Sequence, residues 1–223
     1  FNGIFTSRLT VPTLIITLGT ANVFNGFMQG ALKSVQINTI PSSMQSFGQA
    51  SLFVAQNRAS GLQSAMPVSF LLLVAVVAAA FFLTRYTMFG RGIFAIGGDE
   101  AAAARAGFSV AGTKFWLYVI VGVIAAMAGM VRTCSMGQMH PTNLLGMEMM
   151  VIAAVVLGGT AITGGKGSLT GVMLGTLLIV IVQNSMILTG IPTIWQNFAL
   201  GLLIIVGTGI SAVQVARSRG RTA

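Results

Sequence analysis

Three acidic side chains, one histidine and one cysteine are all that 223 residues offer for acid–base, nucleophilic or metal chemistry. Asp99 and Glu100 are adjacent, and Glu148, His140 and Cys134 stand apart from them. No carboxylate pair falls within an apolar run and no G-x-S-x-G elbow occurs, so no catalytic set is expected. One cysteine gives neither an intramolecular disulfide nor a metal cluster, and Cys134 reads as a helix-packing residue. His140 lies in a polar loop and reads as a surface histidine. The stretch Gly164-Gly165-Lys166-Gly167-Ser168 invites comparison with a phosphate loop. That pattern needs Gly where Thr160 stands and Ser or Thr where Gly167 stands, and no strand precedes it, so nucleotide binding is not expected.

The chemistry that remains is that of a docking element. Two of the three acids sit in one polar island, residues 90–108, between long apolar runs. Gly97-Gly98 reads as a turn, and Asp99 as an N-cap whose carboxylate accepts backbone N–H groups of the next turn. Glu100 suits the positive end of the helix dipole and Arg105 the negative end. Ala101, Ala102, Ala103 and Ala104 have the best helix propensity, and Gly107 is a natural stop. The expected product is a helix of about two turns. Alone in water so short a helix is marginal, so it is expected to dock on a partner.

The elements that carry the island must be membrane helices. Only 7% of the chain is charged, 55% is hydrophobic, and the mean hydropathy is +0.89. A soluble domain carries about 25% charged residues, so membrane lipid is the expected surroundings. The net charge of +9 does not point to nucleic acid, because the basic residues are scattered singly without aromatic platforms. The fold class expected is an all-α integral membrane protein, because period-2 alternation is absent. About six spans are expected: residues 9–32, 67–83, 115–131 and 147–163, with two more between Lys166 and Arg217 divided near Pro192. Pro12 falls in the first turn of the first span, where a missing N–H costs little. Residues 33–66, rich in Ser, Gln and Asn, read as a long loop with room for a short surface helix. The chain starts at Phe1 with no charged n-region or cleavage site before the first span, so it is expected to be a piece of a longer protein and its start is not read as a signal peptide. With the C-terminus cytoplasmic, nine basic residues (Arg8, Arg85, Arg91, Arg105, Lys114, Lys166, Arg217, Arg219, Arg221) lie inside, and three (Lys33, Arg58, Arg132) outside. The island is then cytoplasmic and the loop 33–66 is on the opposite side.

Inside the spans, Gly167, Gly171 and Gly175 make two GxxxG steps, and Gly26 and Gly30 another, serving close packing within one subunit or a subunit interface. Gly158-Gly159 and Gly164-Gly165 point to a broken or re-entrant helix, or to a helix that simply ends at Gly158. Asn22, Asn25, Gln29, Gln183 and Asn184 suit a pathway for a neutral hydroxylated solute, and equally suit bonds between helices. Glu148, at the outer end of its helix, is expected to pair with Arg132, with a solute ligand as the other reading. No buried carboxylate offers a proton-coupled energy source, and an external motor pressing on the island would supply one.

The island from Gly90 to Gly107 resembles the cytoplasmic loop of bacterial ABC sugar importer permeases of the ribose, xylose and autoinducer group. Ala153–Ser168 is similar to a second hallmark of that family, and Thr13–Thr20 to a third. Members are usually longer at the N-terminus, and this chain resembles their C-terminal two-thirds. The resemblance implies one transmembrane permease domain over 1–223, with residues 97–107 as the coupling helix and 33–66 as a periplasmic loop. It implies a bacterial inner membrane location and three kinds of partner. These are a separate cytoplasmic ABC ATPase that holds ATP and Mg²⁺, a second permease copy or paralogue, and a periplasmic solute-binding protein. The cargo implied is a sugar or similar polar solute. Related permeases for branched-chain amino acids or nucleosides, and a motor-independent channel or carrier, are the competing expectations.

Overall fold

The computed structural model describes residues 1–8, 13–33, 35–56, 63–142, 144–161 and 164–192, together with 194–196, 198–199, 201–203, 205, 207 and 209. Its helices are α1 (Asn2–Arg8), α2 (Thr13–Leu32), α3 (Ser42–Gln49), α4 (Ser69–Tyr86), α5 (Met88–Gly98), α6 (Glu100–Arg105), α7 (Val110–Met136), α8 (Met147–Leu157) and α9 (Leu169–Leu188). Two strands, β1 (Ser51–Gln56) and β2 (Gln63–Pro67), lie between α3 and α4.

Among the described residues, α4, α7 and α9 are long and apolar enough to cross a membrane. At about 1.5 Å per residue, the 27 residues of α7 reach roughly 40 Å and the 18 of α4 roughly 27 Å, against a hydrocarbon core of about 30 Å. No residue of α4 is buried within the chain, as expected of a helix that faces lipid or further helices. The other expected spans differ. α2 has the 20 residues to cross, but its Thr, Asn, Gln and Gly content makes it less apolar than those three. The run 147–163 is helical only as far as Leu157, 11 residues in all. Pro12, Arg58 and the basic tail Arg217–Arg221 lie outside the described residues, as does most of the last expected span.

The expectation of an all-helical chain needs correction at β1 and β2. They form an antiparallel hairpin with Val54 opposite Ala65 and Gln56 opposite Gln63, and its register shifts between Ser51 and Phe53. Its sequence carries no strict alternation to betray it, and a two-stranded ribbon needs none unless one face is buried. The 33–66 stretch is therefore more ordered than a plain loop, with α3 before the hairpin. A two-way backbone bridge, Ile37 N–H to Met139 O and Met139 N–H to Ile37 O, both 2.9 Å, ties its start to the end of α7.

The chain divides into two compact units. The first comprises Phe1–Ile93 and Ala106–Leu144. Here α1 and α3 pack on α7. Gly48 comes so close to the Cys134 carbonyl that no side chain would fit between them, and Cys134 is buried, as a packing cysteine should be. The second comprises Phe94–Arg105 and Leu145 onward. Its core is Ala153, Ala154 and Ile179, with Met150 and Leu157 against them, where α8 crosses α9.

Candidate functional site

The polar island is built from two helices. Between α4 and α5 the chain turns at Thr87, whose hydroxyl accepts the Gly90 N–H at 3.1 Å. Gly90 lies against the Leu83 and Thr84 backbone, which is why this turn tolerates no Cβ. α5 then runs to Gly98. The reading of Gly97-Gly98 as a turn is thus corrected: both close a helix, and the break falls at Asp99. Sequence reasoning missed α5 because its four glycines depress helix propensity. The signal present was Thr87, a capping residue type three positions before Gly90.

Asp99 caps α6 as its residue type demands. Its Oδ1 accepts the Ala102 N–H at 2.9 Å, and its own carbonyl accepts the Ala103 N–H at 2.9 Å. Glu100 occupies the first turn and Arg105 the last, the arrangement that complements the dipole. Gly107 follows at φ +88°, a left-handed stop. Ala103 is buried, while Asp99, Glu100, Ala101, Ala102, Ala104 and Arg105 are exposed. One face of a short helix is therefore covered, and an acid–alanine–arginine face remains open.

What Gly97 and Gly98 lie against is the second hallmark stretch. α8 ends at Leu157 with Gly158 as its C-cap, and α9 begins after Ser168, whose hydroxyl accepts the Gly171 N–H at 3.1 Å. The connection is a non-helical excursion. The Ala161 N–H donates to the Lys166 carbonyl at 2.9 Å, and the Gly164 N–H to the Ala161 carbonyl at 3.0 Å. Ile162 and Thr163 lie outside the described residues. α8 stops at Leu157 and α9 starts beyond an irregular link, an arrangement common to both readings of the glycine pairs. Gly164 and Gly165, at φ +88° and +74°, lie against Gly97 and Gly98. Methyl groups built there would sit 2.8 Å from the Gly165 nitrogen (on Gly97) and 2.7 Å from the Gly98 Cα (on Gly165). The GxxxG glycines work inside this unit too. Gly171 and Gly175 meet the backbone of Gly158 and Ala154, and Gly167 meets the Thr160 side chain. In α2, Gly26 and Gly30 have nothing within 4 Å of where a Cβ would stand.

The expected pathway amides divide between the units. Asn22, Asn25 and Gln29 follow one face of α2 in the first unit, at spacings of three and four. Gln183 and Asn184 are on α9 in the second. Gln183 is half-buried and donates from Nε2 to the Met150 Sδ at 3.4 Å, a bond between α9 and α8; Asn184 is exposed. Glu148, expected to pair with Arg132, uses Oε2 to accept the Gly146 N–H at 3.0 Å. Arg132 lies in the first unit, where its buried Nε has no hydrogen-bond partner. It borders a cavity of about 390 Å³ whose walls include Met28, Met130, Met136 and Met139. His140 lines the same cavity, so it is not the free surface histidine its loop suggested. It is half-buried, and its Nδ1 accepts the Thr142 N–H at 3.2 Å.

Residues 1–207 match the family described as branched-chain amino acid transport system / permease component. The chain is 37% identical over 153 residues to the probable ABC transporter permease protein YphD of Escherichia coli, covering 69% of this chain and 46% of that protein. It is 31% identical over 205 residues to the autoinducer 2 import system permease proteins LsrC of Yersinia enterocolitica and Klebsiella pneumoniae. Those matches cover 92% of this chain and 54% and 56% of the relatives. The chain thus spans about half the length of these curated relatives, less than the two-thirds its motifs led one to expect. No solved structure matches it significantly. A match over nearly the whole chain, with apolar helices of membrane-crossing length, means that the protein belongs to this family of multi-pass membrane permeases.

Proposed function

We propose that this chain is part of the permease subunit of an ATP-driven importer of the bacterial inner membrane, moving a sugar or similar polar solute inward. The observation that carries the proposal is the Asp99-capped helix α6, with Ala103 buried and an exposed acid–alanine–arginine face, directly after the Gly97-Gly98 pair that lies against the link between α8 and α9. A rigid two-ended helix of small side chains fits a groove in a protein partner, and its capped ends resist fraying when pushed. In this reading residues 97–107 form the coupling segment and seat in a cytoplasmic ABC ATPase, which binds and hydrolyses ATP with Mg²⁺. A second permease copy or paralogue completes the pathway, and a periplasmic binding protein delivers the solute. The C-terminus is cytoplasmic, in keeping with nine basic residues on that side against three on the other.

The cargo class rests on the chain's relatives named for autoinducer 2 import and on the uncharged amides Asn22, Asn25, Gln183 and Asn184. An amino-acid carboxylate calls for a cation or a positive helix end at mid-membrane, and the basic residues of this sequence fall outside its long apolar runs. The test is purification of the full-length protein from native membranes in mild detergent, with mass spectrometry of what accompanies it. An ABC ATPase that co-purifies, and is lost on Asp99→Ala with Glu100→Ala, supports the assignment. Retention of other transporter complexes in the same preparation with no ATPase on this one would sink it.

A further inference from the structure

Residues 97–105 of the coupling segment belong, by their packing, to a distant part of the sequence. Phe94–Arg105 groups with Leu145 onward, although the chain on both sides of it groups with the first unit. What joins it there is contact between two glycine pairs. The Gly97 position is closed by the Gly165 nitrogen at 2.8 Å, and the Gly165 position by the Gly98 Cα at 2.7 Å and nitrogen at 3.0 Å. Gly164 faces the Gly97 carbonyl and, at 3.1 Å, its Cα. Each would-be Cβ meets main chain, not the end of a side chain that could swing aside. Main-chain atoms of a helix end and of the link in mutual contact leave no side-chain layer to absorb displacement.

We infer that the Gly97-Gly98 and Gly164-Gly165 pairs form a fixed joint through which α6 drives α8 and α9, with Gly97, Gly164 and Gly165 as positioning residues of the coupling step. The inference rests on the reading of 97–107 as the coupling segment. It adds the receiving surface, the 158–168 link, to that reading. The route onward is also made of main chain. Gly171 and Gly175 on α9 meet the Gly158 and Ala154 backbone of α8, and the Ser168 cap fixes the start of α9 to the link. A displacement of α6 along this path reaches both helices without crossing a side-chain layer. Gly164 has a second requirement, its φ of +88°, which L side chains rarely adopt.

The test uses the full-length permease co-purified with its ATPase and reconstituted in liposomes, with a reporter cysteine at Thr189, an exposed residue at the far end of α9. The readout is the rate of maleimide labelling with and without ATP and vanadate, corrected for the protein lacking the reporter. In Gly97→Ala and Gly164→Ala the nucleotide-dependent change in labelling, normalised to the ATPase that co-purifies, is expected to shrink about fivefold or more. Gly146→Ala has nearly the same backbone strain, at φ +87°, but open space around it, and Gly122→Ala has open space in mid-helix. Both are expected to keep the full change. Should Gly97→Ala and Gly164→Ala respond to nucleotide as fully as these controls, the joint is refuted while the coupling segment stands. Should Gly146→Ala lose the response equally, backbone strain is the cause and the joint is again refuted. Absence of any ATPase on the unmutated protein refutes the underlying reading instead. If Gly164→Ala fails to assemble, Gly97→Ala, which carries no left-handed strain, decides alone.

Discussion

Replacement of Gly175 by Ala should destabilise the protein, although the same change in an open helix should stabilise it. Gly175 lies where α9 crosses α8, and a methyl group there would meet the Ala154 carbonyl oxygen, the Gly158 nitrogen at 2.8 Å and the Ala154 carbon at 3.2 Å. All three are main-chain atoms of the other helix, so the two backbones must separate. Ala is favoured over Gly in a helix by about 1 kcal/mol. Overpacking a tight contact costs about 1–3 kcal/mol, and the upper end applies when the obstacle is backbone. The net expectation is a loss of about 2 kcal/mol, a fall in midpoint of roughly 4–8 °C for a domain of this size. Gly122, in α7, has nothing within 4 Å of its would-be Cβ, and Gly122→Ala should gain about 1 kcal/mol. Thermal unfolding of the full-length protein in one detergent, read by the loss of helical circular dichroism, compares the two. The opposite signs are what matter. A Gly175→Ala protein that melts at or above the parent temperature would show that α8 and α9 do not cross backbone to backbone at this glycine.

Other expectations follow from the same geometry. Asp99→Ala removes the bond to the Ala102 N–H and should cost α6 about 1 kcal/mol, seen as faster hydrogen exchange at Ala102 and Ala103; Asp99→Asn should retain most of the protection. Arg132→Leu should leave the melting temperature unchanged or raise it, since the buried Nε has no partner and an unpaired buried polar group costs about 1–3 kcal/mol. A drop of several degrees would mean that the guanidinium is paired in the working protein. Gln183→Leu breaks only a weak N–H···S contact to Met150 and should shift stability by less than about 1 kcal/mol, so a large loss of solute uptake in that variant would assign Gln183 to the pathway.

The sequence alone determined what is local or compositional. A charged fraction of 7% places the protein in a membrane, because so few charges cannot clothe a soluble fold. Asp99, the alanines and Gly107 specified a capped helix and its stop, because capping and propensity act within one turn. The long apolar runs at 67–83, 115–131 and after Lys166 likewise announced α4, α7 and α9. Tertiary structure decided the rest. Gly97-Gly98 read as a turn because glycine is a poor helix former, yet they complete α5, where the absence of a side chain lets Gly164-Gly165 approach. Nothing in the spacing of residues 97 and 165 says that they touch; only the return of the chain from Leu157 to Ser168 brings them together. The β1–β2 hairpin was invisible because its residues carry no strict alternation, and only the pairing of the two segments reveals it. Polar side chains were the least legible of all. Exposed Glu148 bonds the Gly146 N–H and half-buried Gln183 bonds Met150, because a polar side chain takes whichever partner the folded chain places beside it.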